Sequence, residues 1–160
     1  MPPSDTPSTY QIALRLLARR DLSAAQLRNR LIQRDRPQQE IERTISRLTT
    51  DQVLDDARLA AAYVHRAVHV KLRGKERTRR ELEALGIAPT TADHAVDAIF
   101  DEVNEVTVLE QALTKRLRGP IRNRTELRRV GQALIRQGFP TEQVQAALMR
   151  HAGNTALGEE

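Results

Sequence analysis

"LEALGIAPTTADHAV", residues 82–96, sets down an anchor, Leu82, with glycine four positions on, proline soon after, and apolar residues ten and fourteen positions from the anchor. Residues 134–148, "LIRQGFPTEQVQAAL", repeat the pattern, and residues 31–45, "LIQRDRPQQEIERTI", follow it more loosely. The anchors Leu31, Leu82 and Leu134 lie 51 and 52 residues apart. Four positions on stand Asp35, Gly86 and Gly138, residue types that tolerate a left-handed helix end. Ile41, Ala92 and Val144 follow at ten, and Ile45, Val96 and Leu148 at fourteen. Pro37, Pro89 and Pro140 fall within one position of one another. Each copy therefore predicts a helix, a tight turn and a second helix.

Working outward, a further helix precedes each pair: Tyr10 to Arg19, Asp55 to about Val70, and Val103 to about Leu117. Ser23 is a good N-cap for the helix carrying Leu27 and Leu31. No segment alternates with period two, so no strand is expected and the fold class is all-α. The expected organisation is a disordered tail over 1–9, three-helix repeats over 10–51, 52–102 and 103–151, and a flexible tail over 152–160. "KLRGK" (71–75) and "RLRGP" (116–120) both close a leading helix with Leu-Arg-Gly, where glycine suits the position past the helix end. From that glycine to the anchor leucine is 8 residues in the second unit and 15 in the third, so the third carries a basic insertion, "IRNRTEL". In the leading helix of the middle unit, Asp55 and Asp56 suit the positive helix start. Leu59 to Val64 is apolar all round, which predicts a helix buried in the middle of the array.

Net charge is +5 and the pI about 10.4, so polyanions and acidic protein surfaces are plausible partners. Residues 15–36 sum to +5, 71–81 to +4 and 115–129 to +6, while 92–110 sum to −6. There is no cysteine, which excludes disulfides, Cys-ligated zinc and thiol chemistry and suits a reducing cytoplasm. The longest apolar run, "LAAAYV" at 59–64, is far too short to cross a membrane, and "MPPSDTPST" has no secretory character.

"LDDARLAAAYV" at 54–64, then Arg66, then "GKERTRRELEALGI" at 74–87 resembles the central signature of the RecX family, regulators of the RecA recombinase. "ALRLLARRDLSAAQLRNRL", 13–31, resembles that family's N-terminal signature, and the likeness extends over roughly residues 10–151. Leu59 stands where the family usually has Phe, Thr78 where an aliphatic residue is usual, and the first repeat has Asp35-Arg36 rather than Gly-aromatic. The resemblance implies an elongated, curved helical array that binds along the groove of the RecA filament on DNA. It also implies inhibition of the filament's ATP hydrolysis, strand exchange and stimulation of repressor self-cleavage, within DNA repair, recombination and the SOS response.

The residue chemistry offers two competitors. For an enzyme, no nucleophile–base set can be named and nothing resembles a nucleotide-binding loop. His65 and His69 lie one helical turn apart but lack a third ligand, so no metal and no cofactor is expected. A basic helix-turn-helix transcription regulator is the alternative, with "TELRRVGQALIRQGF" as its recognition helix. Basic residues spread over three units suit a long polyanionic surface better than one short site. The expected contacts are Arg73, Lys75, Arg77, Arg79 and Arg80 in the middle unit, and Arg116, Arg118, Arg122, Arg124, Arg128 and Arg129 in the third. Arg66 is expected to pair internally with Asp55, Asp56 or another acid. The expected partners are the RecA filament and, weakly, single- or double-stranded DNA, with the protein a monomer. Neutralising about six phosphates of a single strand would make DNA affinity fall as roughly the fourth power of salt.

Overall fold

The structure, a computed structural model, describes residues 5–156. Its helices are α1 (Thr9–Arg19), α2 (Ala24–Ile32), α3 (Gln38–Thr50), α4 (Asp56–His69), α5 (Lys75–Ala84), α6 (Pro89–Glu102), α7 (Glu105–Arg116), α8 (Arg124–Arg136) and α9 (Thr141–Ala156). No strand occurs among the described residues. The helices pack chiefly within three consecutive units, α1–α3, α4–α6 and α7–α9.

The repeated sentence becomes a repeated turn. Asp35, Gly86 and Gly138 adopt φ of 54°, 81° and 99°. The next residue in each case, Arg36, Ile87 or Phe139, donates its N–H back to the anchor carbonyl of Leu31, Leu82 or Leu134, at 3.2, 3.1 and 3.4 Å. This helix ending satisfies carbonyls that would otherwise be orphaned. All three anchors are fully buried, and the apolar positions ten and fourteen residues on are buried as well. Side-chain caps fix the helix starts: Ser8 and Ser23 close capping boxes with Gln11 and Gln26, while Asp55, Asn104 and Asn123 cap α4, α7 and α8.

The buried side chains form two cores. One, from Ala13 to Leu54, belongs to the first unit. The other runs without a break through α4–α9 and contains Val64, Leu82, Leu109, Leu134 and Phe139. The surface of 10973 Å² exceeds the about 8,100 Å² of a compact chain of this mass, as an elongated array requires.

Consecutive units are joined by one contact made twice. At the first junction Ser23 Oγ donates to the Leu85 carbonyl, and the Ala24 N–H donates to Asp56 Oδ1 at 2.9 Å. At the second, the Gly74 N–H donates to the Gln137 carbonyl at 2.9 Å, and the Lys75 N–H to Glu105 Oε1 at 3.0 Å. Ala24 and Lys75 open α2 and α5; Asp56 and Glu105 open α4 and α7. The first residue of each following leading helix thus caps the second helix of the unit before it, a carboxylate on a positive helix end.

Several expectations are corrected. Asp56 serves α2, and Asp55 alone caps α4, accepting from the Arg58 N–H at 3.0 Å. The α4 helix is not buried all round: Ala60 and Val64 are buried, whereas Ala61 and Ala62 are exposed. Arg66 is exposed and pairs with neither aspartate. Gly74 is the N-cap of α5 with φ −79°, not the residue past the end of α4; the left-handed residue there is Leu72, φ 52°. Gly74 is required because a Cβ on it would collide with the Gly138 carbonyl. The basic insertion of the third unit is divided between the loop before α8 and an added first turn of α8, which has 13 residues against 10 in α5. Helix α1 already begins at Thr9, and α9 continues through Ala156, into the stretch read as a tail. Of the expected tails, residues 1–4 and 157–160 lie outside the described residues.

Candidate cationic interface

The structure divides the sequence-predicted contacts into two groups. In the middle unit, Arg73 forms an ion pair with Glu81, and the Tyr63 hydroxyl donates to the same carboxylate. Arg77 Nε donates to Glu81 Oε1 at 2.9 Å, and its Nη1 reaches Gln137 Oε1 of the next unit at 2.7 Å. Arg79 is held by Asp93 at 2.5 Å and Glu76 at 3.2 Å. These three arginines tie helices and units together. Lys75 is partly buried with its ammonium 5.5 Å from the centre of the Phe100 ring, an attractive geometry. Arg80 alone of the five is exposed without a partner among the described residues.

Glu81 is the pivot of this cluster. Burial pushes its carboxyl up, but the Tyr63 hydroxyl, Arg77 and Arg73 together outweigh it and hold the group below the usual carboxylate range. Burial, with the Glu81 carboxylate beside it, pushes the Tyr63 hydroxyl up to about 12.

In the third unit the picture reverses. Arg116, Arg118, Arg122, Arg124, Arg128 and Arg129 are all exposed, and none forms an ion pair among the described residues. The loop that carries Arg118 and Arg122 is shaped locally: the Arg122 N–H donates to Glu126 Oε2 at 2.9 Å, and Asn123 Oδ1 accepts from the Glu126 N–H at 2.9 Å. The end of α7, the loop and the first turns of α8 thus carry six exposed guanidinium groups.

Two grooves lie at the junctions between units. The first, between α1 and α4, is mostly apolar, lined by Leu14, Leu17, Leu22, Val53 and Leu59 with Asp21, Asp55 and Arg58. The second, at the junction of α4–α5 with α7, is lined by Lys71, Leu72, Ala112, Lys115, Arg116 and Gln137. Lys71 and Lys115 lie inside the basic stretches 71–81 and 115–129. Charge density marked those stretches, but only the folded junction shows that these two lysines line one groove. His65 and His69 are exposed with ring centres 4.5 Å apart. Among the described residues no three His, Cys, Asp or Glu side chains gather as a metal site.

Fold and surface together define a class: an all-helical tandem protein with basic, exposed surfaces. The family model for the first three-helix domain of RecX matches residues 10–48, and that for the second three-helix domain matches residues 55–96. The Regulatory protein RecX of Chromohalobacter salexigens is 31% identical over 143 residues, covering 89% of this chain and 92% of the relative. That of Geobacillus kaustophilus is 30% identical over 152 residues, 94% of this chain, but the match spans only 56% of that longer relative. A crystal structure of RecX from Lactobacillus salivarius superposes with a TM-score of 0.76 at 19% identity, over 91% of this chain and 95% of that one, which shows the same fold. The chain belongs to the RecX family.

Proposed function

We propose that this protein is a non-enzymatic regulator of the RecA recombinase. It binds along the groove of the RecA–DNA filament and lowers ATP hydrolysis, strand exchange and stimulation of repressor self-cleavage. Three similar units in tandem, curved to follow the groove, touch neighbouring protomers at once, and weak contacts tied together multiply through effective concentration. Arg116, Arg118, Arg122, Arg124, Arg128 and Arg129, exposed on α7, the loop and α8 without internal partners, are the observation that supports this most directly. Arginine pairs two-pronged with carboxylates and phosphates alike, so it serves a filament made of both. Arg80 and Lys75 extend the same role to the middle unit, while Arg73, Arg77 and Arg79 act through the shape of the junction. The absence of cysteine and of any apolar membrane-length helix among the described residues supports action in the cytoplasm.

The test is recombinase ATP hydrolysis on single-stranded DNA with sub-stoichiometric protein. Wild type inhibits. The triple change Arg122→Glu, Arg124→Glu, Arg128→Glu weakens inhibition while helical content and melting stay nearly unchanged, because exposed substitutions cost little. Unchanged inhibition moves the contact elsewhere. No inhibition by wild type, with tight binding to one duplex sequence, makes the protein a transcription regulator instead.

A further inference from the structure

We propose that the groove at the second junction, walled by Lys71, Lys115 and Arg116, binds the phosphodiester backbone of nucleic acid. The proposal rests on the regulator reading above and deepens it by naming which part of the chain meets DNA rather than protein. The groove has a volume of about 280 Å³. Its cations come from two units: Lys71 from the connection after α4, and Lys115 and Arg116 from the last turn of α7. All three are exposed, and none is in an ion pair. No carboxylate lines the groove. Gln137 accepts from Arg77 through Oε1, which leaves its NH₂ group as the remaining donor. The polar lining thus offers donors and positive charge to a ligand made of acceptors.

The groove at the first junction is lined differently, by α1 and the start of α4, with the carboxylates of Asp21 and Asp55 beside Arg58. Lys115 and Arg116 also complement the negative end of α7, and the Lys71 ammonium lies 5.7 Å from the centre of the Tyr63 ring. The second groove contains no aromatic ring and only Leu72 and Ala112 as apolar lining. Base stacking and the buried aromatic anchors of protein hot spots are both missing. Sequence-independent backbone contact is what such a lining performs.

The experiment measures fluorescence anisotropy of a labelled, mixed-sequence single-stranded oligonucleotide over a salt series. Compared are wild type, Lys71→Gln/Lys115→Gln/Arg116→Gln, and a charge-matched control outside the grooves, Arg20→Gln/Arg43→Gln/Arg66→Gln. The groove variant should melt like wild type and bind at least about tenfold more weakly near 50 mM salt, with the salt slope reduced by about 2, as loss of three single-strand phosphate contacts requires. Unchanged binding, or an equal loss in the control, overturns the proposal. Displacement of the oligonucleotide by polyglutamate at equal charge concentration turns the site into one for acidic protein and also overturns it. Displacement by millimolar inorganic phosphate alone reduces it to a free-anion site. Recombinase ATPase is read in parallel: wild type that binds the oligonucleotide through the groove but leaves ATPase unaffected sinks the regulator reading and not the groove.

Discussion

At the scale of single residues, Glu81 has the widest reach. It accepts from Tyr63, Arg73 and Arg77, and Arg77 crosses to the third unit. Glu81→Gln removes the charge these partners share and leaves Arg73, only 16% exposed at its side chain, without a counter-ion. The expected loss is about 2 kcal/mol, the scale of hydrogen bonds to charged groups, measured by chemical unfolding at neutral pH. The pH dependence has a definite sign. A carboxyl held below its ordinary value of 4.5 contributes stability above that value and loses it as pH falls through the lowered one. The gap between wild type and Glu81→Gln should therefore close in acid. Tyr63 acts at the other end: raised from 10.0 to about 12, its contribution is complete below pH 10 and lost as pH climbs toward 12. A gap that stays constant into acid means that Glu81 is not the pivot. Thr78 shows why a polar residue is tolerated at a core position: it is fully buried, and its Oγ1 donates to the Gly74 carbonyl at 2.8 Å.

At the scale of elements, the periodic pattern made the helices, the anchor leucines and the left-handed turns legible, because each depends on residues within one or two turns of itself. Contacts between units were not legible. Asp56 caps a helix 32 residues away, and Glu105 one 30 residues away, so each looks like an ordinary first-turn acid of its own helix. Asp35 at a turn that elsewhere holds glycine becomes intelligible from the same contacts. A Cβ on Gly138 would stand 2.5 Å from the Arg77 backbone nitrogen, and one on Gly86 2.5 Å from the Ala25 Cβ. Asp35 belongs to the first unit and is exposed. Gly138→Ala should thus cost about 2–4 kcal/mol, combining left-handed strain with overlap on backbone. Asp35→Gly should stay within about 0.5 kcal/mol of wild type, the strain relieved offsetting the added freedom of the unfolded chain. Denaturant midpoints of the two variants decide it; equal costs would mean that close approach between units is not what the glycines serve.

For the whole molecule, charge counting located the basic stretches but could not separate the arginines that stitch the middle unit from those left free on the third, since both kinds sit in equally basic sequence. The separation comes from Glu81, Asp93 and Gln137, which three-dimensional packing brings to Arg73, Arg77 and Arg79. The same packing gives the first unit its own core and lets the second and third share one. Cooperativity follows the cores, because elements that share buried side chains open together. Leu31 and Leu82 are equally buried, and truncating either to alanine should cost about 2–5 kcal/mol by opening a cavity. The consequences differ in place. Leu31→Ala should reduce amide-exchange protection across α1–α3 and spare α4–α9, whereas Leu82→Ala should weaken α4–α9 as one body. The cations of the second groove and of α8 all lie beyond the first core, so Leu31→Ala should also keep its grip on single-stranded DNA at temperatures where the first unit has begun to open. Uniform loss of protection after Leu31→Ala would mean that the hydrogen bonds of Ser23 to Leu85 and Ala24 to Asp56 couple the first unit as tightly as a shared core does.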